Sequence, residues 1–84
     1  MKHADQITLA GLQDLLQAIR QFGGLKEKTP GSFYYKAGGF VHFHQDPAGL
    51  FADLKIAGQW QRFKISTLSE QEVLLAEIAQ VLSK

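Results

Sequence analysis

The stretch from Phe40 to Ile56 constrains the fold more than any other part of the chain. It reads as two alternating strands joined by a Pro/Gly turn. Successive side chains in a strand point to opposite faces, so Val41 and Phe43 share one face while Phe40, His42 and His44 share the other. In the second strand Leu50, Ala52, Leu54 and Ile56 form an apolar row, with Phe51, Asp53 and Lys55 opposite. Burying both apolar rows together sets the parity of the pairing, because a one-residue slip would bury Asp53. The pairing that satisfies it places His44 against Phe51 and His42 against Asp53, and leaves a loop from Gln45 to Leu50.

Upstream, Leu12, Leu15, Leu16, Ile19 and Phe22 follow the i, i+3, i+4, i+7 spacing of one helical face, which predicts a helix from about Thr8 to Phe22. Thr8 suits its N-cap, with Ile7 and Leu12 as a hydrophobic staple, and Asp5 offers a start one turn earlier. Gly23-Gly24 ends it. The segment Lys26 to Ser32 has no periodicity and contains Pro30-Gly31, so it reads as a solvated loop. Phe33 to Lys36 reads as a strand, with Ala37-Gly38-Gly39 as the turn into the next one. A three-residue turn sends Tyr34 and Lys36 to the His42 face and Phe33 and Tyr35 to the core. A two-residue Gly-Gly turn does the reverse and buries Lys36, which is costly.

Downstream, Ala57-Gly58-Gln59 makes another turn and Trp60 to Ile65 alternates as a fourth strand. Its Phe63 and Ile65 point inward, and Trp60, Arg62 and Lys64 join the His42 face. That hairpin is expected to set Lys55 against Arg62 and Asp53 against Lys64. Ser69 with Glu72 has the form of a capping box, and Leu68 with Val73 that of a staple, at the start of a last helix. Val73, Leu74, Ile78, Val81 and Leu82 form its apolar face. The chain of 84 residues is thus expected to be a single α+β domain over 1–84. It would have two layers, a four-stranded antiparallel meander with the N- and C-terminal helices packed on one face.

Composition narrows the function classes. The absence of cysteine excludes a disulfide framework, a zinc ribbon and a thiol nucleophile. A formal net charge of +1 speaks against broad phosphate neutralisation, so nucleic acid ranks below other partners. No uninterrupted apolar run suggests a membrane span, and a cytoplasmic location is expected.

The face without helices collects Tyr34, Phe40, His42, His44, Phe51, Asp53, Trp60, Arg62 and Lys64. So many large aromatics together point to a covered surface, either a homodimer interface or a protein-interaction module. A second reading is a ligand site. His42 and His44, two apart on a strand, point the same way, and with Asp53 they offer ligands to a divalent metal such as zinc, iron or manganese. Equally, Asp53 orienting His42 makes an acid/base pair, with Arg62 or Lys64 holding a small anionic ligand for hydrolytic chemistry. Neither Ser32, Ser66 nor Thr67 lies in a nucleophile motif, so whether the chain is an enzyme stays open at this point.

The order Phe40 to His44, then Leu50 to Leu54, followed by a short aromatic strand and an acidic-then-aliphatic helix, resembles a family of small bacterial domains of unknown function. Some of its members carry the label luciferase-like. The specific part of the likeness is the His-x-His at His42 and His44 and the Ala52-Asp53-Leu54 run. The resemblance implies no established activity.

Overall fold

The computed structural model describes residues 2–83. Its element order is β1 (Lys2–His3), α1 (Gln6–Ala10), α2 (Gln13–Arg20), β2 (Leu25–Thr29), β3 (Ser32–Tyr35), β4 (Gly38–Asp46), β5 (Gly49–Ile56), β6 (Gln59–Lys64) and α3 (Leu68–Leu82). The α+β class and the antiparallel sheet are as expected, but the sheet has six strands and there are three helices. The order across the sheet is β2-β3-β4-β5-β6, and β1 pairs with the second half of β4.

The central hairpin has the expected register, with His42 opposite Asp53 and His44 opposite Phe51. Its loop is tighter than expected. Gln45 pairs with Leu50 and Asp46 with Gly49, so only Pro47 and Ala48 turn, and the Asp46 carboxylate accepts the Ala48 N–H at 2.9 Å. Below this hairpin Phe33, Val41, Phe43, Ala52, Leu54 and Ile65 meet Leu12, Leu15, Leu16 and Ile19 of the first helices and Leu74 and Ile78 of α3. Each such side chain contributes roughly 1.5–3 kcal/mol by leaving water.

The N-terminal helix is broken. Asp5 caps α1, its carboxylate accepting the Thr8 N–H at 2.8 Å. The chain kinks at Gly11 and Leu12 before α2. Ile7 is 86% exposed, so no staple with Leu12 forms.

The segment expected to be a loop is instead edge strand β2. Leu25, Lys26 and Glu27 pair with Tyr35, Tyr34 and Phe33. Its sequence hides this because an edge strand needs little apolar alternation and benefits from charge. Glu27 accepts from Arg20 at 2.6 and 2.9 Å and from the Gly31 N–H at 2.9 Å, tying the end of α2 to the Pro30-Gly31 turn.

The β3–β4 turn falls one residue earlier than expected. Tyr35 pairs with Gly38, so Lys36 and Ala37 turn, both at positive φ. Gly38 and Gly39 belong to the strand, and the register then slips, because Phe33 faces Val41 whereas Tyr34 faces Gly39. Phe40 is the extra residue of this bulge. Tyr34 still reaches the His42 side and Phe33 the core, as the three-residue turn required. Phe40, however, turns inward beside Tyr35, with ring centroids 5.6 Å apart and 4% exposure. Its expected place on the open face is corrected by the bulge.

The β5–β6 connection is a two-residue turn rather than three. Ile56 pairs with Gln59 around Ala57 (φ 52) and Gly58 (φ 81). The shorter turn shifts the register, so Asp53 faces Arg62, Lys55 faces Trp60 and Lys64 faces Phe51. The like-charge pair of Lys55 with Arg62 therefore does not form. Turns with two left-handed residues favour Asn-Gly, and alanine there is strained. Ala57→Asn is expected to stabilise the fold by about 0.5–1 kcal/mol in urea unfolding; no gain would mean that this turn carries no strain.

The last helix begins earlier than Ser69. Thr67 is its N-cap, in a capping box with Glu70. Two such boxes overlap in the sequence, Thr67 with Glu70 and Ser69 with Glu72. The first is used, and Glu70 Oε1 also accepts from the Ser66 N–H at 2.9 Å. With this start Leu68 and Val73 are 77% and 56% exposed, so the expected staple is absent and Val73 lies off the buried stripe. No helix among the described residues is long and apolar enough to cross a membrane.

Candidate functional site

All three helices lie on one side of the sheet, and the other side is open. On it β4 places His42 and His44, β5 places Phe51, Asp53 and Lys55, and β6 places Trp60, Arg62 and Lys64. β3 adds Tyr34, and β2 adds Lys26 opposite it. The face gains one residue that sequence reasoning passed over. His3 of β1 stands opposite His44, and the segment is held by the Ala4 N–H to Phe43 O bond at 3.0 Å and the Asp5 N–H to Gln45 Oε1 bond at 2.7 Å. Two residues have no periodicity, so no pattern signals such a strand.

Asp53 is the electrostatic centre. Arg62 donates to both of its oxygens at 2.8 Å, and His44 Nε2 lies 3.1 Å from Oδ2. The Arg62 hydrogen bonds hold the Asp53 carboxyl below its ordinary pKa against the opposing effect of burial, and Asp53 in turn raises Arg62. His44 is lowered, burial and the charges of His3 and Arg62 outweighing the pull of Asp53. The expected partner of Asp53 was His42; it is His44 that reaches the carboxylate.

His42 belongs to an aromatic row instead. Its ring lies 5.1 Å from Trp60 and 6.0 Å from Tyr34, and His3 is 6.2 Å away on a third side. Burial, then the neighbouring His3 and His44, lower its pKa. Its shielded Nε2 has no hydrogen-bond partner among the described residues. Gly39 lies under this packing, where a Cβ would stand in contact at 3.4 Å from His42 Nε2 and from two indole carbons of Trp60. The inward turn of Phe40 is what brings Gly39 to this face.

The aromatic row is flanked by lysines. Lys28 Nζ lies 4.5 Å from the Tyr34 ring centre and Lys55 Nζ 4.7 Å from that of Trp60, both in reach of a cation–π contact. The face therefore carries Lys26, Lys28, Lys55, Arg62 and Lys64 against two carboxylates, Asp53 and, at the end of β4 within electrostatic reach of Arg62, Asp46. The rest of the sequence carries four cations and six carboxylates. The small net charge conceals this separation.

Among the described residues no three His, Asp or Glu side chains converge to hold a metal ion. The set His42, His44 and Asp53 fails for a specific reason. Arg62 occupies both Asp53 oxygens and His44 Nε2 points at one of them, while His42 Nε2 is turned against Gly39 and Trp60. The carboxylate–imidazole contact expected between Asp53 and His42 is likewise made by Asp53 and His44. A depression of about 640 Å³ lined by Lys2, Thr8, Gln45, Asp46, Pro47 and Leu50 lies beyond the turn end of the central hairpin and contains none of these groups. No family model, no curated protein and no solved structure matches the chain, and the chemistry of the open face rests on its own residues.

Proposed function

We propose that the chain is a protein-interaction module whose open sheet face takes an acidic segment of another protein. The observation that carries this reading is the gathering of five cations around the row Trp60, His42 and Tyr34, on a chain that is nearly neutral as a whole. Aromatic side chains and arginine are typical anchors of protein interfaces, and a one-signed field around them selects the oppositely charged partner. A second copy laid face to face is disfavoured, because it would oppose cations to cations. Nucleic acid is also the weaker partner: base stacking needs free ring faces, whereas Tyr34 and Trp60 each have a lysine over the ring and the rings are tilted by 36–58° to His42.

Trp60 is the single tryptophan, so its fluorescence reports on this face alone. Titration with a random Glu/Tyr copolymer is expected to change Trp60 emission, and Lys55→Glu with Lys64→Glu is expected to weaken the binding about tenfold. Oligo-dT serves as the competing probe. Tighter binding of oligo-dT, or copolymer binding indifferent to the charge reversal, would overturn the assignment.

A further inference from the structure

The two lateral edges of the sheet are unlike. β2 is five residues long, carries a bulge at Lys28, is followed by Pro30 and presents Lys26 and Lys28. Those are devices that keep an edge from pairing. β6 runs six residues in unbroken register with β5 and has neither proline nor bulge. The Ile65 N–H donates to Leu50 O at 3.0 Å, and bonded pairs alternate along an antiparallel ladder, so residues 59, 61 and 63 bond inward to β5. The backbone groups of Trp60, Arg62 and Lys64 point outward, and among the described residues no other strand pairs with that edge.

We propose that this edge pairs with the same edge of a second copy, antiparallel about a twofold axis at Gln61, to make one continuous sheet. Charge complementarity selects the register. Centred on Gln61, the ladder sets Trp60 against Arg62 of the second copy, twice, and these are the positions whose backbone groups are free. Within each chain Asp53 already faces Arg62 and Lys55 already faces Trp60. The row across the joined face then reads Asp53, Arg62, and Trp60 and Lys55 of the second copy, in which every neighbouring pair is an ion pair or a cation against an indole. Centring on Arg62 sets the two guanidiniums opposite each other, and centring on Phe63 sets Arg62 against Lys64. Centring on Trp60 leaves Arg62 against Gly58, before the strand begins. Edge pairing keeps the open face accessible and doubles it, and it does not depend on what that face binds.

The test uses sedimentation velocity over a dilution series, with Gln61→Glu, Gln61→Lys and their equimolar mixture beside the unaltered protein. Gln61 is exposed, so both variants keep the fold. The unaltered chain is expected to dimerise, each variant to dissociate about fivefold more readily because like charges meet at the axis, and the mixture to recover the dimer. Amide exchange is expected to slow at Trp60 and Arg62 on dimerisation. A chain monomeric at every concentration, a dimer indifferent to both variants, or a mixture that recovers nothing would overturn the proposal.

Discussion

Phe40→Ala is expected to lower the unfolding free energy by about 3–5 kcal/mol, the usual cost of removing a buried phenylalanine ring. Read by strand alternation alone, Phe40 is an exposed residue whose loss would be mild. The bulge opposite Phe33 turns it into the core, where it is 4% exposed and packs beside Tyr35. A chain of 84 residues has roughly 4–12 kcal/mol of stability in all, so this change alone removes a large part of it. Trp60→Ala, on the open face and 45% exposed, is expected to cost no more than about 1.5 kcal/mol. Urea unfolding of the two variants separates the cases, and equal costs would place Phe40 outside the core.

Acidification is expected to destabilise the fold in two stages. His42 and His44 both have pKa values lowered in the folded state, so the unfolded chain takes up their protons first. Their contribution is complete above about pH 6.5 and is lost as pH falls from there, at up to about 1.4 kcal/mol per pH unit for each proton. The charged and titratable groups that face them are His3, Asp53, Lys55 and Arg62, of which only Asp53 favours their charged forms, helped at His44 by a hydrogen bond with the Lys2 backbone. The second stage comes from Asp53, Glu27 and Asp5, whose lowered pKa values stabilise the fold above the ordinary carboxylate range and cease to do so as pH falls through it. His42→Phe keeps a flat ring between Tyr34 and Trp60 and removes the unpartnered Nε2. Thermal unfolding between pH 7 and about pH 5 is expected to show a shallower loss in this variant. An unchanged profile would assign the first stage to other groups.

One part of the fold is written in short-range pattern. The alternation from Val41 to Ile56 admits one parity, and His42 does face Asp53 and His44 does face Phe51. The spacing of Leu12, Leu15, Leu16 and Ile19 likewise identifies the buried helical face, because burial imposes the periodicity directly. The helix-free side of the sheet follows from the same two patterns, since a sheet with one apolar face covers only that face.

Other features arise from contacts that no local pattern encodes. β2 carries charge where a central strand would carry apolar residues, and β1 is too short to have a period. The bulge that buries Phe40 depends on where the Lys36-Ala37 turn falls. The choice of Thr67 over Ser69 as cap is made between two overlapping boxes that the sequence offers alike. At the site, strand parity puts His42 and His44 on the same side as Asp53, but side-chain reach determines the partner. Arg62 clamps the carboxylate from β6, His44 completes it diagonally, and His42 is drawn between Tyr34 and Trp60 over Gly39. Period and parity are properties of neighbouring residues, whereas register, bulges and ion pairing are settled by competition among strands brought together only on folding.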